Sequence, residues 1–149
     1  MEDILALVAD AFAEAPRPPD DVLLHPDCRD DNDIRSLYGV PHWRDLADGT
    51  VEHEYAALFF LGPEGFRHFL PAYMSYALRH PRSDQAVVGS TIFSLRPATD
   101  NLRAFSLSKF ALFDARQRAA VLAFLEAMAG IDPDDATTSE ALAYWRTVA

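Results

Sequence analysis

The chain has 149 residues, half of them hydrophobic, and a formal net charge of −10, which is enough apolar material for one self-sufficient core. No stretch approaches the roughly 18 uninterrupted apolar residues of a membrane span, and the first residues carry acids where a secretory signal needs bases. One cysteine, Cys28, rules out an internal disulfide and points to a reducing cytoplasm.

The charge is unevenly placed. Residues 1–54 hold 14 carboxylates against Arg17, Arg29, Arg35 and Arg44, a balance of −10, whereas residues 55–149 hold nine acids and nine bases. Such a field repels phosphate backbones, so direct nucleic-acid binding is excluded and a basic protein partner is compatible.

In chain order, residues 2–15 place Ile4, Leu5, Leu7, Val8, Ala11, Phe12 and Ala15 at helical spacing with acids off the stripe, which predicts an amphipathic helix. Pro16, Pro18 and Pro19 end it and open an extended Pro/Asp-rich connection over 16–33, pinned by Val22, Leu23 and Leu24. A short helix capped by Asp31 or Asn32 and stopped by Gly39 follows, then a turn at His42, Trp43 and Leu46, and another at Asp48-Gly49-Thr50.

The apolar run 55–61 reads equally as a buried strand or a lead into a helix. Gly62-Pro63-Glu64 marks a helix start, and Phe66, Phe69, Leu70, Tyr73, Met74, Ala77 and Leu78 share its broad apolar face. Pro71 removes an amide donor, so this helix is expected to kink or restart there. Ser83 or Asp84 is expected to cap a helix ended by Pro97, and 103–112 reads as a short strand or an irregular linker. Asp114 and Gln117 form a capping-box pattern for a helix stopped by Gly130, and Ser139 is expected to cap the last helix. The sum is a mainly α single domain of five to six helices spanning 1–149, with a small α+β fold carrying one or two short strands as the alternative.

The pattern Phe60-Leu61-x-Pro63-Glu64-x-Phe66-Arg67-x-Phe69-Leu70-Pro71-Ala72-Tyr73, with Trp43 upstream and Gln117 and Phe124-Leu125 downstream, resembles a bacterial family of small proteins catalogued only as a domain of unknown function. The resemblance covers residues 43–129 and leaves most of the acidic third outside. It implies no activity, cofactor or catalytic residue.

Asp27, Asp30, Asp31 and Asp33 crowd together, but the stretch lacks the central glycine and twelfth-position glutamate of a calcium loop. The five histidines form no His-x-x-x-His pair, so no metal site and no cofactor is predicted. Glu64 and His68, four apart, read as a surface pair. Cys28 sits among acids that disfavour a thiolate, and Ser90 lies in a predicted helix and not on a strand-to-helix elbow. No catalytic residue is therefore assigned.

Three readings follow. The leading one is a cytoplasmic binding or adaptor module whose acidic surface, Asp27, Asp30, Asp31, Asp33, Asp45, Asp48, Glu52 and Glu54 with Trp43 as an anchor, meets a basic protein as a toxin-neutralising immunity protein would. The second is a small enzyme or ligand-binding protein with a pocket of Glu64, Arg67, His68 and Tyr73 around the kinked helix 63–79. The third is a homo-oligomer joined through exposed apolar surface near Trp43 or Trp145.

Overall fold

The first helix, α1 (Glu2–Phe12), lays Val8, Ala11 and Phe12 against the body and leaves Glu2, Asp3, Asp10 and Glu14 in solvent, as its stripe requires. In this computed structural model, which describes residues 1–149, the chain then passes through three 3-10 turns (Asp20–Val22, Arg35–Leu37, Trp43–Asp45) and seven further helices. These are α2 (Asp48–His53), α3 (Ala57–Phe60), α4 (Pro63–Arg79), α5 (Val87–Ser94), α6 (Arg103–Phe110), α7 (Ala115–Ile131) and α8 (Ala136–Val148). The fold is mainly helical with no strand, and eight helices replace the five to six expected.

Helix α4 is the axis of the structure. It packs against α1, α2, α3, α5, α6 and α7, while α7 lies between α1 and α8, and α8 also meets α5. Nearly every side of α4 is covered, Phe66, Phe69, Leu70, Tyr73, Met74 and Tyr76 included, which is what a helix apolar around most of its circumference does. The aromatic stripe is therefore core and leaves no groove for a partner helix. Pro71 is itself buried, and α4 continues through it as one helix with no restart. Packing on all sides outweighs the hydrogen bond that the ring removes.

The connection after α1 is tied down by its own polar groups. Arg17 donates to the carbonyls of Pro18, Leu37 and Val40 and pairs with Asp20 at 2.6 Å. Asp20 in turn accepts from the amide of Gly39, whose φ of 75° is the positive value a glycine tolerates. Leu23 is fully buried, and Leu24 makes an isolated antiparallel bridge with Leu61. Val22, expected to pin the segment with them, is exposed. Gly65 is small for a reason: a Cβ there would stand 3.2 Å from Leu23 Cδ2 and from Leu61 Cδ2.

Several local expectations shift. The run 55–61 and the segment 103–112 are helical and not strands, as α3 and α6. Asp48-Gly49-Thr50 opens α2 and is not a free turn. Asp31 does not cap a helix, because its carboxylate is taken by Arg35 at 2.8 Å and by the Tyr38 hydroxyl at 3.1 Å. Ser83 caps only a turn by accepting from the amide of Gln85, and α5 begins later. The capping box forms as read: Asp114 accepts from the amide of Gln117 at 2.8 Å, and the Gln117 side chain accepts from the amide of Asp114 at 3.0 Å. Gly130 lies inside α7, which ends one residue later. The cap of α8 is Asp135, accepting from the Thr138 amide and hydroxyl, and not Ser139.

Candidate functional site

Helix α4 and the first third of the chain meet through polar groups with internal partners. His68 is fully buried, its Nε2 accepting from the amide of Trp43 at 3.1 Å and its Nδ1 lying 2.9 Å from the carbonyl of Ala15. This pairing defines a neutral ring with the proton on Nδ1. Burial is the main cause pushing its pKa below the ordinary value of 6.5, with the Ala15 bond opposing. The expected surface pair with Glu64 does not form, since Glu64 is exposed and His68 lies beneath the returning N-terminal chain.

Tyr73 is likewise enclosed and donates to the backbone carbonyl of Glu54 at 2.7 Å, and burial drives its phenol far above the usual range. Arg67 reaches away to the carbonyl of Leu112 at 2.9 Å. Glu64, Arg67, His68 and Tyr73 thus serve separate neighbours and share no hydrogen bond with one another.

The acidic residues divide by environment. Asp27 and Asp45 are exposed, and Asp30 accepts from the Asn32 amide and side chain. Asp33 is half-buried. Glu52 accepts from the Tyr76 hydroxyl at 2.7 Å. Asp48 takes a two-pronged pair from Arg79, both contacts 2.8 Å, and His80 approaches at 3.2 Å. The Arg79 guanidinium, followed by His80, holds the Asp48 carboxyl below its usual range.

Three of the proposed surface residues are not at the surface. Trp43 is buried, with its indole donating to the carbonyl of Phe12 at 3.2 Å and Arg44 lying over its ring. Trp145 is also buried, so neither tryptophan offers an exposed apolar patch. Glu54 is only 3% exposed: one oxygen is 3.4 Å from both Ser36 Oγ and His53 Nε2, and Oε2 has no partner.

Burial raises the Glu54 pKa above 4.5. The folded protein then holds that proton more tightly than the unfolded chain, so stability falls as pH rises above 4.5 through the raised value. Glu54→Gln, which removes the ionisation, is expected to be more stable than the parent at neutral pH, with the gain shrinking toward acid. Thermal melts of both proteins across a pH series test this, and a variant less stable throughout would contradict it.

Sequence reasoning passed over Lys109. It is the one lysine among 13 basic residues, and it is 4% exposed. Its ammonium donates to the carbonyls of Leu58 at 2.9 Å and Phe59 at 3.2 Å near the C-terminal end of α3, and it lies over the rings of Phe105 and Phe66. Burial pushes its pKa down to about 8. Beside it opens a cleft of about 160 Å³ between α3, α5 and α6, walled by Leu58, Phe59, Phe93, Leu102 and Phe105. The available signal was compositional: a solitary lysine, in a chain that otherwise uses arginine, set within an apolar stretch.

No group of three or more histidine, cysteine, aspartate or glutamate side chains could hold a metal ion. No helix is long and apolar enough to cross a membrane.

No curated protein and no solved structure matches the chain. A family model matches residues 1–149, and so takes in the acidic third that the sequence resemblance had left outside. The chain belongs to that family, described as a family of unknown function, DUF6714.

Proposed function

We propose that the chain is a binding module that captures a basic protein through its acidic N-terminal third, of the kind an immunity protein uses against a cationic toxin. The observation that carries the reading is the state of the early carboxylates. Of the 14 in residues 1–54, only Asp48 is in an ion pair with an arginine from beyond residue 54. Asp20 and Asp31 are paired locally with Arg17 and Arg35, and Glu54 is withdrawn into the interior. Asp10, Glu14, Asp21, Asp30 and Asp45 remain exposed without a cationic partner, and Asp27 has beside it only the His25 ring, whose Nδ1 accepts from the Asp27 amide.

Uncompensated charge of one sign steers an oppositely charged partner and raises its rate of encounter, an effect that salt screens over a Debye length of about 8 Å at physiological ionic strength. This region is already anchored to α4, through the Trp43 amide on His68 and through Arg17 over the Phe69 ring, and a surface already ordered loses less entropy on binding.

The test is affinity capture from the protein's own host at low and high salt, with the triple variant Asp27→Asn, Asp33→Asn, Asp45→Asn alongside. The expected result is a captured protein of basic composition, released by salt and lost with the variant, while the variant's melting temperature stays near the parent's. No partner at either salt, or a partner held equally by the variant, would overturn the reading.

A further inference from the structure

The cleft beside Lys109 has a composition at odds with the rest of the molecule. In a chain of net charge −10, its ten lining residues include two cations, Arg96 and Lys109, and no acid. The other polar linings are two serine hydroxyls, of Ser94 and Ser106, and the walls are aromatic and aliphatic. Leu102 at 54% exposure and Phe93 at 46% stand at its edge as large apolar side chains open to water.

The hydrogen-bond count of the lysine is the second observation. An ammonium carries three donors. Two are met by the carbonyls of Leu58 and Phe59, and no acceptor meets the third. Arg96 flanks the same space, lying over the Phe93 ring at 4.5 Å and paired with Glu140 at 3.0 Å, and its Nε is buried with no partner. Donors without acceptors at the edge of a mostly apolar space favour an anion that brings its own apolar body.

Size narrows the class. A cavity of roughly 150 Å³ lined by Leu, Ile and Phe accommodates benzene, and this cleft is about 160 Å³.

We propose that the cleft between α3, α5 and α6 binds a small apolar carboxylate of about one ring, its ring among Phe59, Phe93, Leu102 and Phe105 and its carboxylate accepting from Lys109 Nζ. Binding adds a charge-assisted hydrogen bond to the one free donor of a lysine whose other bonds hold α6 against the end of α3. The lowered basicity of Lys109 is consistent with this, since an anion at Nζ favours the charged form.

The probe is benzoate, with benzyl alcohol as its uncharged counterpart, titrated into the 15N-labelled protein and followed by amide shifts. Benzoate is expected to saturate with shifts centred on residues 93–109 and to bind about ten-fold or more tightly than benzyl alcohol, the difference one charged hydrogen bond makes. Lys109→Met removes the donor but also releases two carbonyls, so a second variant guards against misfolding. Leu102→Asp, at an exposed edge position, is expected to keep the parent's melting temperature, to weaken both probes through the lost leucine wall, and to weaken benzoate about ten-fold more than benzyl alcohol through the added like charge. Absence of saturable benzoate binding, equal affinity for the two probes, or unchanged benzoate affinity in a folded Leu102→Asp would overturn the proposal.

Discussion

His68→Ala is expected to lower the free energy of unfolding by about 3–5 kcal/mol, which is a large part of the stability of a domain this size. The alanine abandons two backbone groups that water cannot reach through the buried ring, the Trp43 amide and the Ala15 carbonyl, each costing about 1–3 kcal/mol unpaired. It also leaves a cavity beside Phe69, whose ring meets the imidazole edge-on at 4.8 Å. Urea unfolding measures the loss. The parent should also lose stability as pH falls below 6.5, because the unfolded chain then takes up a proton on His68 that the folded site resists. In the alanine variant that part of the acid sensitivity should disappear. A variant within 1 kcal/mol of the parent (about the scale of one ordinary hydrogen bond) would mean that the imidazole joins nothing.

Trp145→Ala is expected to cost a similar amount, about 3–5 kcal/mol. Trp145 is fully buried, its rings 5.0 Å from Phe110 and 5.7 Å from Phe113, and its indole donates to the carbonyl of Leu95 at 2.8 Å. One side chain therefore fastens α8 to the end of α5 and to the end of α6. Trp145→Phe should recover the packing in part but still leave the Leu95 carbonyl unpaired, placing it between parent and alanine variant. Equal stability of the phenylalanine variant and the parent would show that the indole hydrogen bond contributes nothing.

What the sequence made legible was local. The Gly62-Pro63-Glu64 start of α4 and the Asp114/Gln117 capping box depend on residues within one turn of each other, and both stand where expected. The apolar face of α4 also follows from spacing alone. Segment 103–110 resisted because α6 is short and its mixed apolar pattern fits no single period, half of its face being only partly covered. The hydroxyl of Ser139 suits a cap, but the helix starts four residues earlier, so Asp135 meets the Thr138 amide.

Burial of polar residues was illegible for a different reason. His68, Trp43, Trp145 and Lys109 are each held by partners between 25 and 53 residues away. A helical wheel places His68 near Glu64, but it cannot say that residues 15 and 43 return to cover it. The same long-range closure turned the anticipated interface tryptophans into core and drew Glu54 inward, leaving the acidic surface to the remaining carboxylates.

A neutral imidazole, that of His68, clamps the acidic third to α4. Long-range 1H–15N spectra of the His68 side chain across a pH series test this most directly. The predicted result is a single Nδ1–H tautomer, slow to exchange and still neutral at pH values where an ordinary imidazole, of pKa 6.5, is mostly protonated. A ring that exchanges rapidly with water and titrates near 6.5 would contradict it.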